Sequence, residues 1–355
     1  MTLHEFFEEW NDSSPSLLVH TSGSTGTPKP MRVEKSRMMA SARLTCHFLG
    51  LNENDSALLC MPLDYIAGKM VVVRSIVSGM RLISVVPSSH PLRGLKEQPS
   101  FAAMVPMQVY STLQNADEAL MLAKVKNLII GGGAIDQELE GKLKDFPNAV
   151  WSTYGMTETL SHIALRRLNG AEASRYYMPF DNVEISQSSD GSLCIKAPAV
   201  CPVELHTNDI VEFHPDGRRF VVIGRKDNVI DTGGIKVHAE EVEERIRPFL
   251  TRDFAISKKS DTKFGEIIIL LVSFPEIFSR RSETGNTSML NLQSLDVDKY
   301  SAVYEEICKI REEYAKILPR YWQPREIYLT TSIPHTGTGK IARGRILSVL
   351  SEVSD

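Results

Sequence analysis

Between His20 and Pro30 the chain reads HTSGSTGTPKP, a run of hydroxyl side chains and glycines that ends on a lysine. A stretch of this kind buries no apolar surface. Its amides and the hydroxyls of Thr21, Ser22, Ser24 and Thr25 can surround anionic oxygens, Gly23 and Gly26 allow close backbone approach, and Lys29 adds a point charge. The chemistry suits a polyphosphate. Two familiar phosphate motifs nonetheless fail here. A GxxxxGK[ST] loop counted from Gly23 meets Pro28 at its sixth position, and GxGxxG counted from Gly131 meets Asp136 at its last. Taken alone, the stretch serves equally well as a surface loop.

Other chemistry-bearing groups lie further along. Gly131, Gly132 and Gly133 follow the apolar run NLII, and YGMTET (Tyr154–Thr159) follows NAVWST. LHTNDIVEF carries Asp209, GRKDNVIDTGGIKV carries Arg225, Asp227, Gly233 and Gly234, and PHTGTGKIARGR carries Lys340. These groups need a scaffold. From Ser16 to about Ile223 short apolar runs alternate with small-residue turns and helical patterns: SLLVH, then KSRMMASARLTCHFL, SALLCMP, RLISVVP, SFAAMVP and KNLIIGGGAI. Such alternation predicts an α/β fold with a mainly parallel sheet and covering helices. The polar turns then fall at the carboxyl ends of strands, where α/β sheets bind ligands, so Thr21–Thr27, Gly131–Ala134 and Thr153–Glu158 are expected to converge. After FVVIGRKDNVIDTGGIKV the texture changes to charged helices and paired strands, which predicts a smaller α+β domain beginning near Asp227. EIIILLVSF reads as a buried strand, and Ser279–Ser294 has turn composition and reads as a mobile excursion.

Composition narrows the class. With 42% hydrophobic and 24% charged residues the chain is an ordinary globular one. A net charge of −4 and the lack of a basic block argue against a nucleic-acid partner. The five cysteines are scattered without a CxxC pair, so their spacing suggests neither a zinc site nor a disulfide framework. MTLHEFFEEW lacks the order of a signal peptide, and no apolar run reaches membrane-spanning length. The expectation is a reduced, cytoplasmic protein without membrane insertion.

TSGSTGTPK, YGMTET, GRKDNVIDTGGIKV and PHTGTGKIARGR, in this order across residues 21 to 345, resemble the adenylate-forming superfamily of acyl-CoA synthetases, luciferases and carrier-loading adenylation domains. The resemblance implies a large N-terminal domain, residues 1–226, that binds ATP and the acyl group. It also implies a small mobile C-terminal lid domain, residues 227–355, with chemistry at the junction. Relatives usually carry a long segment before the phosphate loop, so the N-terminal domain reads as shortened. The implied partners are ATP, Mg²⁺, a small carboxylic acid and CoA, which combine through an acyl-adenylate to a thioester; a homodimer is left open.

The roles carried over are residue by residue. Lys340 matches the lysine that supplies positive charge where carboxylate and α-phosphate meet. Glu158 matches the Mg²⁺ ligand and Thr157 a phosphate contact. Tyr154 and Gly155 would flank adenine, and Gly131–Gly133 would admit the adenine and acyl portions. Asp209 would accept the ribose hydroxyls beside Arg225, with Asn208 standing where the family has glycine. Asp227 matches the hinge, and Gly233 and Gly234 the pantetheine tunnel. Each also has a plainer reading: a surface lysine in a turn for Lys340, a helix-capping pair for Thr157–Glu158, a tight turn for the glycines.

MPLDYIAGKMVVVRSIVSGMRL, AAMVPMQVYSTL and LIIGGGAI are most similar to the o-succinylbenzoate–CoA ligases of menaquinone biosynthesis. That resemblance implies that Arg74 grips the acid's second carboxylate. Tyr65 stands where that subfamily has histidine, and Ser161 and His162 fall where substrate-facing residues sit. The plainer readings are a solvated arginine ending an apolar helix and a histidine satisfied by its neighbours. Other functions stay open: another aryl- or acyl-CoA ligase, an adenylation domain that loads a carrier protein, and a non-catalytic nucleotide-binding relative.

Overall fold

A computed structural model describes residues 1–20, 30–133, 135–278, 289–335 and 341–353. The chain divides into two compact units. Of the described residues, the first takes in Met1–Thr207 and Glu212–Val221, and the second Asn208–Val211, 222–335 and 341–353.

The first unit opens with helix α1 (Leu3–Asn11), whose N-terminus is closed by a capping box between Thr2 and Glu5. Strands β1 (Ser16–His20) and β2 (Pro30–Glu34) pair antiparallel, with His20 opposite Pro30. This corrects the reading of SLLVH as a member of the parallel sheet: a strand whose ladder partner is the next strand along forms a ribbon of its own. Helix α2 (Lys35–Leu49), strand β3 (Ser56–Leu59), helix α3 (Ile66–Ser78) and strands β4 (Arg81–Ser84) and β5 (Phe101–Met104) follow. Helices α4 (Pro106–Leu113) and α5 (Ala116–Ala123) lead to β6 (Asn127–Ile130), α6 (Gln137–Leu143), β7 (Ala149–Gly155), β8 (His162–Arg167) and β9 (Met178–Pro179).

These strands make a sheet in the order β4-β3-β5-β6-β7-β8-β9. From β4 to β7 the strands are parallel, and β8 and β9 turn back antiparallel along one edge. The parallel strands are apolar on both faces because helices cover both; Leu58, Ala102, Met104, Leu128, Ile130 and Val150 share one core. Helix α3 is apolar nearly all round and is buried from Gly68 to Ser75. That burial carries two cations inside, Lys69 and Arg74, each 2% exposed. A further sheet has the order β10-β11-β12-β13, built from β10 (Glu184–Gln187), β11 (Ser192–Lys196), β12 (Leu205–Phe213) and β13 (Phe220–Arg225). The division between the units falls within β12 and β13.

In the second unit, β14 (Val229–Thr232), β15 (Ile235–His238), α7 (Ala239–Ile246), β16 (Phe254–Asp261), β17 (Gly265–Ser273), α8 (Pro275–Phe278), β18 (Met289–Asn291), α9 (Ser301–Ile317), β19 (Glu326–Thr330) and α10 (Arg343–Val353) follow in order. The central strand β17 contains EIIILLVS and is buried on both faces. Ile268, Leu270 and Val272 pack with α7 and α9 residues such as Val242 and Ile307, while Ile267, Ile269 and Leu271 pack with Ile346 and Leu350 of α10. Alternation at period two explains why the run is continuously apolar. Part of the stretch expected to be an excursion is ordered: Met289–Asn291 adds an edge strand against β19, because Met289 buries into the α10-side core. The remainder, 279–288, lies outside the described residues.

Candidate active site

In the first unit, the carboxyl ends of neighbouring strands β6 and β7 bring Gly131–Gly133 beside Thr153–Glu158. Two glycines here have no substitute. A Cβ on Gly131 would lie 2.2 Å from Thr153 Oγ1, and one on Gly155 would lie 2.3 Å from the Ser161 carbonyl oxygen. The second approach arises where the β7–β8 ladder slips at Tyr154/Gly155. Tyr154 is packed rather than open, 9% exposed, with its ring against Tyr177 and Phe220. Thr157 is buried in the short 3₁₀ turn Thr157–Thr159, and Glu158 is exposed on it, without an ion pair among the described residues.

That turn sets up the next residue. Leu160 has φ 65° and ψ −35°, a conformation that side-chain-bearing residues avoid at a cost of about 1–3 kcal/mol. The buried Thr159 hydroxyl holds it there, 2.7 Å from the Ser161 carbonyl oxygen and 3.0 Å from that of Met156. Ser161 is thereby aimed at Arg74, whose Nη2 donates to Ser161 Oγ at 2.5 Å.

A directional chain continues from there. Ser161 Oγ lies 3.2 Å from His162 Nδ1, His162 Nε2 lies 3.0 Å from Thr45 Oγ1, and Thr45 Oγ1 donates to the Ser41 carbonyl at 3.4 Å. Since the Thr45 proton is committed to Ser41, its oxygen accepts from His162 Nε2–H, and Nδ1 accepts from Ser161. His162 is therefore neutral. Its burial, and next the charge of Arg74, push its pKa well below the ordinary histidine value.

Arg74 differs from its helix neighbour Lys69, which reaches Glu9 at 3.7 Å. Among the described residues no carboxylate pairs with Arg74, and its buried Nε has no hydrogen-bond partner. Burial lowers its pKa to about 10, so it remains a cation at neutral pH. The solvated-arginine reading of Arg74 does not survive these observations. Tyr65, by contrast, is the N-cap of α3 and 50% exposed. Nine residues separate it from Arg74, about 13 Å along a helix axis, so the two do not face one small group.

In the second unit, Arg225 Nη1 donates to Asp209 at 3.1 Å and Nη2 to Asp227 at 3.0 Å. Asn208 Nδ2 also donates to Asp227 at 3.2 Å, so the residue in the family's glycine position ties the strand to the expected hinge. Burial alone would lower the Arg225 pKa, but Asp227 and Asp209 outweigh it and hold the guanidinium above its ordinary value. Gly233 and Gly234 form the turn between β14 and β15 at φ 63° and 82°, with the Gly234 amide donating to Asp231. Thr21–Lys29 and Lys340 lie outside the described residues.

The AMP-binding enzyme family matches residues 4–200, more than half of the chain. The chain belongs to the AMP-binding enzyme family. An acyl-CoA synthetase (AMP-forming)/AMP-acid ligase II-like protein from Dyadobacter fermentans is 31% identical with a TM-score of 0.62, and the match covers 98% of this chain and 93% of that one. The 2-succinylbenzoate–CoA ligase of Enterococcus faecalis is 23% identical over 376 residues, covering 97% of this chain and 72% of the relative. An o-succinylbenzoate CoA synthetase from Bacillus subtilis, solved with an acyl-adenylate intermediate, shares the fold at TM-score 0.71 and 20% identity over 93% of this chain and 68% of that one. These likenesses put the protein among the adenylate-forming acyl-CoA ligases. Among the described residues no helix is long and apolar enough to cross a membrane.

Within this AMP-binding enzyme, sequence reading singled out Arg74 and Ser161 but missed Thr45 and Thr159, which hold the pair in place. Thr159 carried a signal as the last residue of YGMTET. Thr45 carried none, because a threonine inside an amphipathic helix looks like any other.

Proposed function

We propose that the protein is an AMP-forming acid–CoA ligase whose acid is o-succinylbenzoate. One observation carries the substrate reading: a fully buried guanidinium beside Ser161 with an unsatisfied Nε and no carboxylate partner among the described residues. An uncompensated buried cation costs several kcal/mol, and a carboxylate from the substrate would offset that cost. o-Succinylbenzoate has two carboxylates, one to be activated and one to be held. The names of the curated relatives point to the same acid.

In the first half-reaction a carboxylate oxygen attacks the α-phosphorus of ATP and pyrophosphate leaves. Both reactants are negative, so the residues must supply positive charge where they meet. Lys340 does so, and Thr21–Lys29 surround the outer phosphates. The exposed Glu158, without an ion pair among the described residues, fits a hard cation that needs few protein oxygens. Mg²⁺ held there would neutralise phosphate charge, while Thr157 donates to a phosphate oxygen. Asp209, oriented by Arg225, accepts the ribose hydroxyls. In the second half-reaction the CoA thiol attacks the acyl carbon and AMP departs, with Asp227 as hinge and Gly233 and Gly234 along the pantetheine path. The test is a pyrophosphate-release screen over carboxylic acids with ATP and CoA. The reading predicts turnover of o-succinylbenzoate far above that of benzoate, with a CoA thioester as product. Equal turnover of both acids contradicts the substrate reading, and adenylate that CoA never consumes contradicts the acceptor.

A further inference from the structure

Cys194 of β11 and His206 of β12 sit on adjacent strands with Sγ and Nδ1 3.1 Å apart. Glu204, two residues before His206, completes a group of three ligand atoms that all lie within 4.8 Å of one another. Cys194 is 3% exposed, whereas Glu204 and His206 are exposed. The cluster plays no part in the adenylation chemistry described above.

We propose that Cys194, Glu204 and His206 form a binding site for a borderline divalent cation of the Zn²⁺ type. The donor set decides the class. A thiolate and an imidazole select Zn²⁺ over Mg²⁺ or Ca²⁺, which prefer all-oxygen ligands. Geometry agrees: tetrahedral Zn–S and Zn–N bonds of about 2.3 and 2.05 Å place sulfur and nitrogen about 3.6 Å apart, a small opening of the present separation. Charge agrees as well, since the Cys194 thiolate and the Glu204 carboxylate together balance a divalent ion. On binding, the Cys194 S–H bond ionises, the sulfur donates its electron pair to the metal and the proton leaves to solvent. Lys196, two residues after Cys194, is occupied by its cross-strand partner Glu184 at 2.9 Å. Glu204 acts on Lys196 through its charge but makes no ion pair with it among the described residues. Three protein ligands leave a fourth position for water, and the bound ion ties β11 to the start of β12.

The test uses the full chain stripped with a chelator and then titrated with Zn²⁺ against a chromophoric chelator, and separately with Co²⁺ followed by absorption. The proposal predicts one Zn²⁺ per chain and a near-ultraviolet thiolate-to-cobalt charge-transfer band. Cys194→Ser removes the band. Losing an outer-shell partner alone costs roughly 10–100-fold in metal affinity, so His206→Gln and Glu204→Gln should each weaken Zn²⁺ binding by about 100-fold. Both are surface substitutions and fold even if the buried Cys194→Ser does not. The proposal is overturned if His206→Gln and Glu204→Gln bind Zn²⁺ as the parent does, or if the cobalt band is absent or survives Cys194→Ser.

Discussion

Replacing Arg74 by methionine separates a substrate-holding arginine from a structural one. Methionine keeps most of the stem volume, so the swap opens little cavity. It removes a guanidinium that is buried, lacks a carboxylate partner among the described residues and has an unsatisfied Nε. Among the described residues only the hydrogen bond to Ser161 is lost, worth about 1 kcal/mol net, whereas relief of the buried charge is worth about 1–4 kcal/mol. The folded protein should therefore be as stable or more stable, read as an unchanged or raised urea midpoint. Breaking a buried ion pair from one side costs about 3–5 kcal/mol, and each 1.4 kcal/mol is tenfold. With o-succinylbenzoate, kcat/KM should then fall by about 10²–10³-fold or more, while with benzoate it should stay within about threefold. The assay is pyrophosphate release with both acids beside a urea melt. If both acids suffer alike, or the midpoint drops by more than the lost hydrogen bond explains, Arg74 is structural and the reasoning fails.

Two other outcomes follow from the geometry, and a third from the proposed role of Lys340. His162 stays neutral in the folded state, so below the ordinary value of 6.5 the unfolded chain binds a proton that the folded chain refuses. Its contribution makes stability fall by about 1.4 kcal/mol per pH unit below that point and adds no slope above it; the difference between parent and His162→Gln urea midpoints across pH reads this directly, and a flat difference contradicts it. In the second unit, Arg343 donates to buried Glu243 at 2.6 Å, and burial, opposed by Arg343, raises the Glu243 pKa. Arg343→Met should cost about 3–5 kcal/mol of unfolding free energy, growing with pH as Glu243 ionises, and Glu243→Gln in the same chain should recover most of it; no recovery means the pair is not the cause. Lys340→Ala should nearly abolish adenylate formation while thioester formation from supplied acyl-adenylate persists, and equal loss in both half-reactions refutes the lysine's role.

Elements with strong local signals were legible in the sequence. KSRMMASARLTCHFL is α2 residue for residue, and EIIILLVS forms most of β17. The pairing of β1 with β2 was hidden because an apolar run before a small-residue turn looks the same in a hairpin as in a βα unit. The edge strand at Met289 was hidden by the polar residues before it. At the site, YGMTET and Arg74 could be found from residue type and order. The chain from Arg74 through Ser161 and His162 to Thr45 joins two helices and a strand, and no spacing rule reaches across them. The same limit explains the cysteines: without a CxxC pair, spacing suggested no zinc site, and the cross-strand placement of Cys194 beside His206 is visible only in the fold.

The central claim is that the acid is activated by direct attack on the α-phosphorus of ATP. An acid labelled with ¹⁸O in the carboxylate to be activated, converted with ATP and CoA, tests it. Attack by a carboxylate oxygen, followed by cleavage of its bond to the acyl carbon, leaves one labelled oxygen on the phosphate of AMP. Mass spectrometry of the nucleotide should find that label in step with thioester formed. Unlabelled AMP, or ADP as the nucleotide product, would contradict the account.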